Sequence, residues 1–354
     1  MELTDLTRYM PVESPREINF AEIRKLQPVK FNQNLEIIDD KVNLTYAKKL
    51  AQQGYQVIPI RRVTIENSFQ SRNSFPRRIL FEMTSNCNYL CRMCPQQNLL
   101  RPKMDMDKEL YKKVLDEIDY HGIEGLWLYH LGESLLHPDF DEILKHLATK
   151  ENLGAIWMST NGELFTEDKI KTALNSNIDF INFSAHATTA ATYKTVTHKS
   201  FKRVNENLNT FYRLKGCENL PRKPFLHCQM IEQETTKHEV DEFIAIHFKR
   251  ADIVSINMLE YVNLPNNEYG REQRIREPLS NCLRVSRNDC FICSNGAVTL
   301  CDAAYNGEID LGNINSSPLF DIWNGKGRKK ILTLNKTGQM HKMEFCQNCT
   351  DYDI

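Results

Sequence analysis

Between Arg78 and Met258 the chain alternates short apolar runs with stretches of helical periodicity. The runs are Ile79–Met83, Gly125–Tyr129, Ala155–Ser159, Asp179–Ser184, Phe225–Ile231 and Ile253–Met258. Helical patterns cover Lys108–Asp119, Pro138–Thr149, Thr166–Asn175, Phe201–Leu214 and His238–His247. Strands separated by helices pair in parallel through right-handed crossovers, so this region predicts an α/β fold with a parallel sheet. Six units are too few for a closed eight-fold barrel. The expected architecture is an open sheet or a partial (β/α)6 TIM-like barrel, with ligands at the C-terminal ends of the strands.

The alternation stops after residue 260. Residues 261–281 read as a connector, and residues 282–354 hold six of the eleven cysteines, a turn at Ser294-Asn295-Gly296 and little helical pattern. Residues 1–75 are polar and irregular, with a helix predicted around Asn43–Gln53 and a strand near Tyr55–Ile60. The Ser- and Asn-rich segment Glu66–Arg77 reads as a linker. The expected organisation is an N-terminal extension (1–75), a partial barrel (76–260) and a small C-terminal domain (261–354).

Eleven cysteines in 354 residues are too sparse for a disulfide scaffold, and the number is odd. Met1–Pro11 has no basic stretch followed by an apolar one, and no 18-residue apolar window exists, which predicts a cytoplasmic, non-membrane protein. Thiols in that compartment stay reduced and, when clustered, serve as metal ligands or catalytic groups. Forty-five basic and 46 acidic residues leave a net charge of -1, so no global electrostatic argument exists for nucleic acid or an anionic membrane.

Cys87, Cys91 and Cys94 form C-x3-C-x2-C directly after the first strand of the alternating region. Four thiolates would close a tetrahedral site, whereas three leave one iron of a cubane open to an outside ligand. A three-ligand zinc knuckle and chance surface cysteines are the competing readings. The loop after a first βα strand is an active-site position, where a structural zinc gains nothing.

The stretch from Phe81 to Cys94 (FEMTSNCNYLCRMC) resembles the radical S-adenosylmethionine (SAM) superfamily. The resemblance implies a catalytic [4Fe–4S] cluster on Cys87, Cys91 and Cys94, with SAM chelating the fourth iron. Gly132 and Glu133 look like the family's glycine–glutamate motif, which meets the SAM amino group. A carboxylate suits an ammonium, and glycine permits close backbone approach. Ser159 and Asn161, in Ser159-Thr160-Asn161-Gly162, look like the segment near the SAM ribose, and Ser184 like a further polar SAM contact. Met93 replaces a common aromatic residue, Leu131 a glycine and Ser134 a proline. His186 stands where an aspartate is common; a histidine there can accept a proton or hydrogen-bond a substrate.

Cys282-x18-Cys301-x44-Cys346-x2-Cys349, with Gly296 five residues before Cys301, resembles the auxiliary-cluster domains called SPASM (two clusters) or twitch (one cluster). Leu311–Ile314 and Leu319–Trp323 resemble the same consensus. The sequence lacks the further cysteines of the larger version, so the resemblance favours one auxiliary [4Fe–4S] cluster on those four thiolates, with structural zinc as the competing reading. Cys290 and Cys293 form another C-x2-C that could supply an alternative ligand or a partial second cluster. Cys228, in the fifth strand, could donate a hydrogen atom to a substrate radical if it points into the barrel, and is otherwise a packed apolar thiol.

The resemblance implies reductive SAM cleavage, a 5′-deoxyadenosyl radical and hydrogen abstraction from substrate, with a low-potential electron donor such as flavodoxin or ferredoxin. An auxiliary cluster can take the second electron, so dehydrogenation of a polyhydroxylated or amino-sugar-like metabolite is the leading expectation. His186, Tyr129, His130 and Arg284 would suit a hydroxyl-rich substrate. Crosslinking, oxidation or epimerisation of a ribosomal peptide is the second reading, and a non-catalytic Fe–S or zinc-binding protein the third.

Overall fold

The computed structural model describes residues 35–38, 57–60, 74–217, 224–247, 250–258, 282–347 and 349. The helix expected at Asn43–Gln53, the connector 261–281 and most of the Glu66–Arg77 linker lie outside the described residues. In chain order the strands are β1 (Leu35–Ile38), β2 (Val57–Ile60), β3 (Arg78–Phe81), β4 (Gly125–Trp127), β5 (Ala155–Thr160), β6 (Phe180–Ser184), β7 (Phe225–Glu232), β8 (Ile253–Met258), β9 (Asp289–Ile292), β10 (Ala297–Thr299) and β11 (Gly312–Asn313). The helices are α1 (Lys108–His121), α2 (Phe140–Leu147), α3 (Glu167–Leu174), α4 (Ala190–Thr197), α5 (Phe201–Cys217), α6 (Val240–His247), α7 (Leu283–Ser286), α8 (Leu319–Trp323) and α9 (Lys326–Lys336). Each of the six predicted strands is present within two residues of its expected ends. No helix among the described residues is long and apolar enough to cross a membrane.

The sheet is open and mostly parallel, and the chain forms two compact units. One comprises residues 67–90, 94–158 and 260–354. Its strand order is β11-β10-β9-β3-β4-β5, with β9, β3, β4 and β5 parallel and β10 and β11 antiparallel. The sequence reading sets residues 261–354 apart as a small domain, yet β9 runs beside β3 in one sheet. A bidentate pair from Arg78 to Asp289 (2.7 and 3.0 Å) fixes this junction.

Helix α1 covers part of this unit because Tyr111, Val114, Leu115 and Ile118 recur at helical spacing and are all buried. Burial of each aliphatic side chain contributes roughly 1.5–3 kcal/mol. Asp107 caps its start by accepting from the Glu109 and Leu110 N–H groups, and Gly122 ends it at φ +73°.

The other unit comprises residues 1–66, 91–93 and 159–259. It contains the parallel pair β1–β2 and the parallel order β6-β7-β8. Helix α4 was not expected, since Ala190–Thr197 is rich in β-branched residues of low helix propensity. Its formation follows from the Thr189 cap, which accepts from the Thr192 N–H, and from full burial of Tyr193 and Val196.

Candidate active site

The loop that follows β3 is held rigidly before the first cysteine is reached. Thr84 and Asn86 both donate to the Asp105 carboxylate, at 2.5 and 3.0 Å. The Ser85 N–H donates to the Met104 carbonyl, and Gln96 donates to the Ser85 carbonyl. Cys94 lies close enough to Cys87 to disfavour its ionisation. Burial pushes the Cys87 thiol up to about 12 and the nearby Glu133 adds to the shift; burial also raises Cys94. Cys91 is half-buried, and none of the three is in a disulfide. Desolvated thiols that resist ionising alone are stabilised as thiolates by a bound cation, so this donor set fits an iron cluster.

Gly132 is required by close approach. A Cβ there would sit 1.9 Å from the Thr84 carbonyl oxygen and 3.0 Å from that of Asn86. The Glu133 N–H donates to the Asn86 carbonyl at 2.9 Å, so the loop after β4 lies directly on the cysteine loop. The Glu133 carboxylate is 3% exposed and accepts from the Leu135 N–H. Gly132→Ala is expected to destabilise the apoprotein by at least about 2 kcal/mol, because backbone must shift to admit the methyl group. A thermal melt that leaves Tm unchanged would show that the loop yields without cost.

In the other unit, Ser159 accepts from Asn182 Nδ2 at 3.2 Å. Asn161 Oδ1 accepts from the Glu163 N–H, and Gly162 turns the chain at φ +80° where a Cβ would strike the Phe183 ring. Ser184 ends β6 and is half-exposed. Register places Asn182 beside His227, Ser184 beside Gln229, and Gln229 in turn beside Ser255. These residues, with Ser159 and Asn257, make one uncharged polar face. Asn182 donates to Ser159 and to Gln229 (2.6 Å), and His227 contacts Ser255 at 2.6 Å. Burial lowers the His227 pKa to about 4 and keeps it neutral. The Oδ1 atoms of Asn182 and Asn257 are buried without a hydrogen-bond partner. The sequence reading missed this face. Its signal was the period-2 polar residues of Asn182/Ser184, His227/Gln229 and Ser255/Asn257.

Cys228 is placed differently from the hydrogen-donor expectation. It shares register with Phe183 and Val254, and its thiol meets the Tyr212 hydroxyl of α5 at 3.2 Å. Strand alternation therefore turns it to the opposite face from Asn182 and Gln229, which corrects that expectation. His186 is buried at φ +57°, a conformation uncommon outside glycine. Its Nδ1 accepts from the Ile231 N–H at 3.3 Å. Nε2 then carries the proton, and burial lowers the pKa to about 4. The group is therefore a hydrogen-bond donor rather than a base.

The second cysteine set lies in the first-described unit. Cys301 is within electrostatic reach of Cys282, and Cys346 of both Cys282 and Cys349. Burial pushes Cys346 up to about 12 and Cys301 well above its ordinary value. Four undisulfided thiols from three chain segments suit a closed metal site. Asn335 of α9 holds Cys282 in place, accepting from its N–H at 2.5 Å and donating to its carbonyl at 3.1 Å. Gly296 has φ +84°, and a Cβ would meet the Asn315 and Asn313 side chains at 2.4 and 2.6 Å. Cys290 lies near Arg328, and Cys293 hydrogen-bonds His130. Tyr129 and Arg284 both lie near Asp302, next to Cys301.

Residues 81–218 match the Radical SAM superfamily, and residues 282–350 match SPASM, an iron–sulfur cluster-binding domain. A 107-residue segment is 31% identical to a tungsten-containing aldehyde ferredoxin oxidoreductase cofactor-modifying protein of Pyrococcus furiosus, covering 30% of each chain. Over 276 residues the chain is 23% identical to an S-adenosyl-L-methionine-dependent 2-deoxy-scyllo-inosamine dehydrogenase of Niallia circulans, covering 77% of this chain and 92% of that protein. Among solved structures, Streptococcus suis SuiB bound to precursor peptide SuiA has a TM-score of 0.57 at 13% identity and covers 88% of each chain, which shows the fold alone. The chain belongs to the radical SAM superfamily and carries a C-terminal SPASM domain. Membership implies a catalytic [4Fe–4S] cluster, an auxiliary cluster and SAM.

Proposed function

We propose that this enzyme oxidises a hydroxyl-bearing small molecule by two electrons, converting a secondary alcohol to a ketone. When bound, SAM and the two clusters supply a 5′-deoxyadenosyl radical that takes hydrogen from the carbinol carbon, and an acceptor for the remaining electron as the hydroxyl proton leaves. Cys87, Cys91 and Cys94 would hold the catalytic cluster, and Cys282, Cys301, Cys346 and Cys349 the auxiliary one. Glu133 would meet the SAM ammonium, with Ser159, Asn161 and Ser184 on its polar groups. A low-potential donor such as flavodoxin or ferredoxin would provide the reducing electron.

The observation that carries the substrate class is the neutral face of β6–β8, with two buried carboxamide oxygens lacking donors. Each unpaired acceptor costs about 1–3 kcal/mol until a donor arrives. Hydroxyl groups supply such donors without charge. His186 Nε2–H would donate to an oxygen of the same substrate. The relation to a 2-deoxy-scyllo-inosamine dehydrogenase supports this reading over peptide modification.

The test is anaerobic incubation of the reconstituted enzyme with sugars, cyclitols, amino-cyclitols and peptides. Loss of about two mass units from a polyol, with one 5′-deoxyadenosine per product, is the expected result. Mass change confined to peptides would sink the proposal. Asn182→Leu is expected to raise KM for the polyol by about tenfold while leaving kcat within a few-fold, since it removes binding common to ground and transition states. An unchanged KM would take Asn182 out of substrate binding.

A further inference from the structure

Glu82, His130 and Cys293 stand beyond the C-terminal ends of three neighbouring strands, β3, β4 and β9. One oxygen, one ring nitrogen and the thiol lie within 4.8 Å of one another. That convergence is a candidate metal site by atom type, but the carboxylate is already saturated. Arg101 pairs with it at 2.7 Å, and the Ser294 and Leu131 N–H groups donate to it at 2.8 and 3.3 Å. Arg101 is fixed in turn, donating to the Tyr305 carbonyl at 2.8 Å and the Ser294 hydroxyl at 3.2 Å. A cation would have to displace a guanidinium from a carboxylate that is 0% exposed.

The histidine is the informative member. Its Nε2 lies 3.1 Å from the carbonyl oxygen of Asp302. A carbonyl only accepts, so Nε2 carries a proton and donates it. Nδ1 lies 3.6 Å from Glu82, and the ring also meets the Cys293 thiol. Asp302 follows Cys301, and its carboxylate pairs with Arg284 at 2.6 Å. Ser294 closes the chain of contacts by bonding Ser85, two residues before Cys87, at 3.0 Å. A chain of contacts therefore runs from the Cys87 loop through Glu82 and His130 to the residue beside Cys301, hydrogen-bonded throughout except for the 3.6 Å charge contact between Glu82 and His130.

We propose that His130 is a positioning residue for the auxiliary cluster. Its Nε2–H donates to the Asp302 carbonyl and so fixes the Cys301–Asp302 turn one residue from that ligand, while Glu82 holds the ring from behind. Hydrogen-bond donors near cluster ligands raise the reduction potential, and partners behind the ligands set their orientation. The proposal rests on reading Cys282, Cys301, Cys346 and Cys349 as cluster ligands, but not on the substrate.

The experiment is an EPR-monitored redox titration of reconstituted enzyme without substrate, for the parent, His130→Phe and His130→Gln. His130→Phe is expected to lower the auxiliary midpoint by at least a tenfold change in the reduction equilibrium, about 59 mV for one electron. The catalytic midpoint stays in place. His130→Gln, which keeps an N–H, is expected to recover most of the shift. Iron loss to a chelator from the auxiliary site should be about tenfold faster in His130→Phe. If the Phe variant does not fold, His130→Asn, too short to reach Asp302, replaces it. Equal shifts at both clusters, or none, overturn the proposal. So does a further metal ion, beyond cluster iron, that His130→Gln and Cys293→Ser both remove. Failure of polyol oxidation leaves these potentials readable, so the two readings fail separately.

Discussion

A Cys94→Ala protein is expected to lose SAM cleavage, with 5′-deoxyadenosine formation at least about a thousandfold below the parent. It should retain about four irons per chain, those of the auxiliary site. Cys94 opens the short turn Pro95–Asn98 and lies near Cys87, on a loop braced by Asp105 and Gln96. The bracing contacts use Thr84, Ser85 and Asn86, not the thiols, so the loop should keep its path without Cys94. What is lost is one of three thiolates, and two ligands cannot hold a cluster with one iron kept open for SAM. The measurements are iron and sulfide content, the EPR signal of the reduced protein, and 5′-deoxyadenosine by chromatography. SAM cleavage above a tenth of the parent rate would remove Cys94 from the ligand set.

The cysteine loop was legible in the sequence because its three thiols fall within eight residues, directly after β3. The strand ends were legible for a similar reason: apolar runs and helical periodicity are local patterns. Cys228 shows the limit. Alternation separates the two faces of β7, but which face meets α5 is settled by Tyr212, a contact from another element. The junction of β9 with β3 joins residues more than two hundred positions apart and leaves no local trace. The Glu82–His130–Cys293 convergence has the same origin. Each residue lies beyond a different strand, and only the sheet order makes them neighbours. Gly132 was read as a cofactor contact, yet the Thr84 carbonyl alone excludes a side chain there. Its presence is therefore explained before any ligand is considered, whereas the buried Glu133 carboxylate accepts from the Leu135 N–H and stands directly after Gly132.

Cys301→Ala should separate the two halves of the chemistry. SAM cleavage is expected to persist within a few-fold, because Cys87 and Cys94 sit on a loop whose frame does not involve Cys301. Ketone formation should fall by about a hundredfold or more, since the substrate radical loses its electron acceptor. The ratio of 5′-deoxyadenosine to oxidised product should climb accordingly. Cys301 is the right position to change because its neighbours are independently anchored. Asp302 is held by Arg284 and His130, and Cys282 by Asn335. Loss of one thiol therefore opens the metal site without releasing the segments around it. The parallel measurement is iron content, expected to fall toward four per chain. If the variant lost auxiliary iron yet kept its ketone yield, the four cysteines would be a structural staple, and the substrate electron would have to leave by way of SAM or the catalytic cluster.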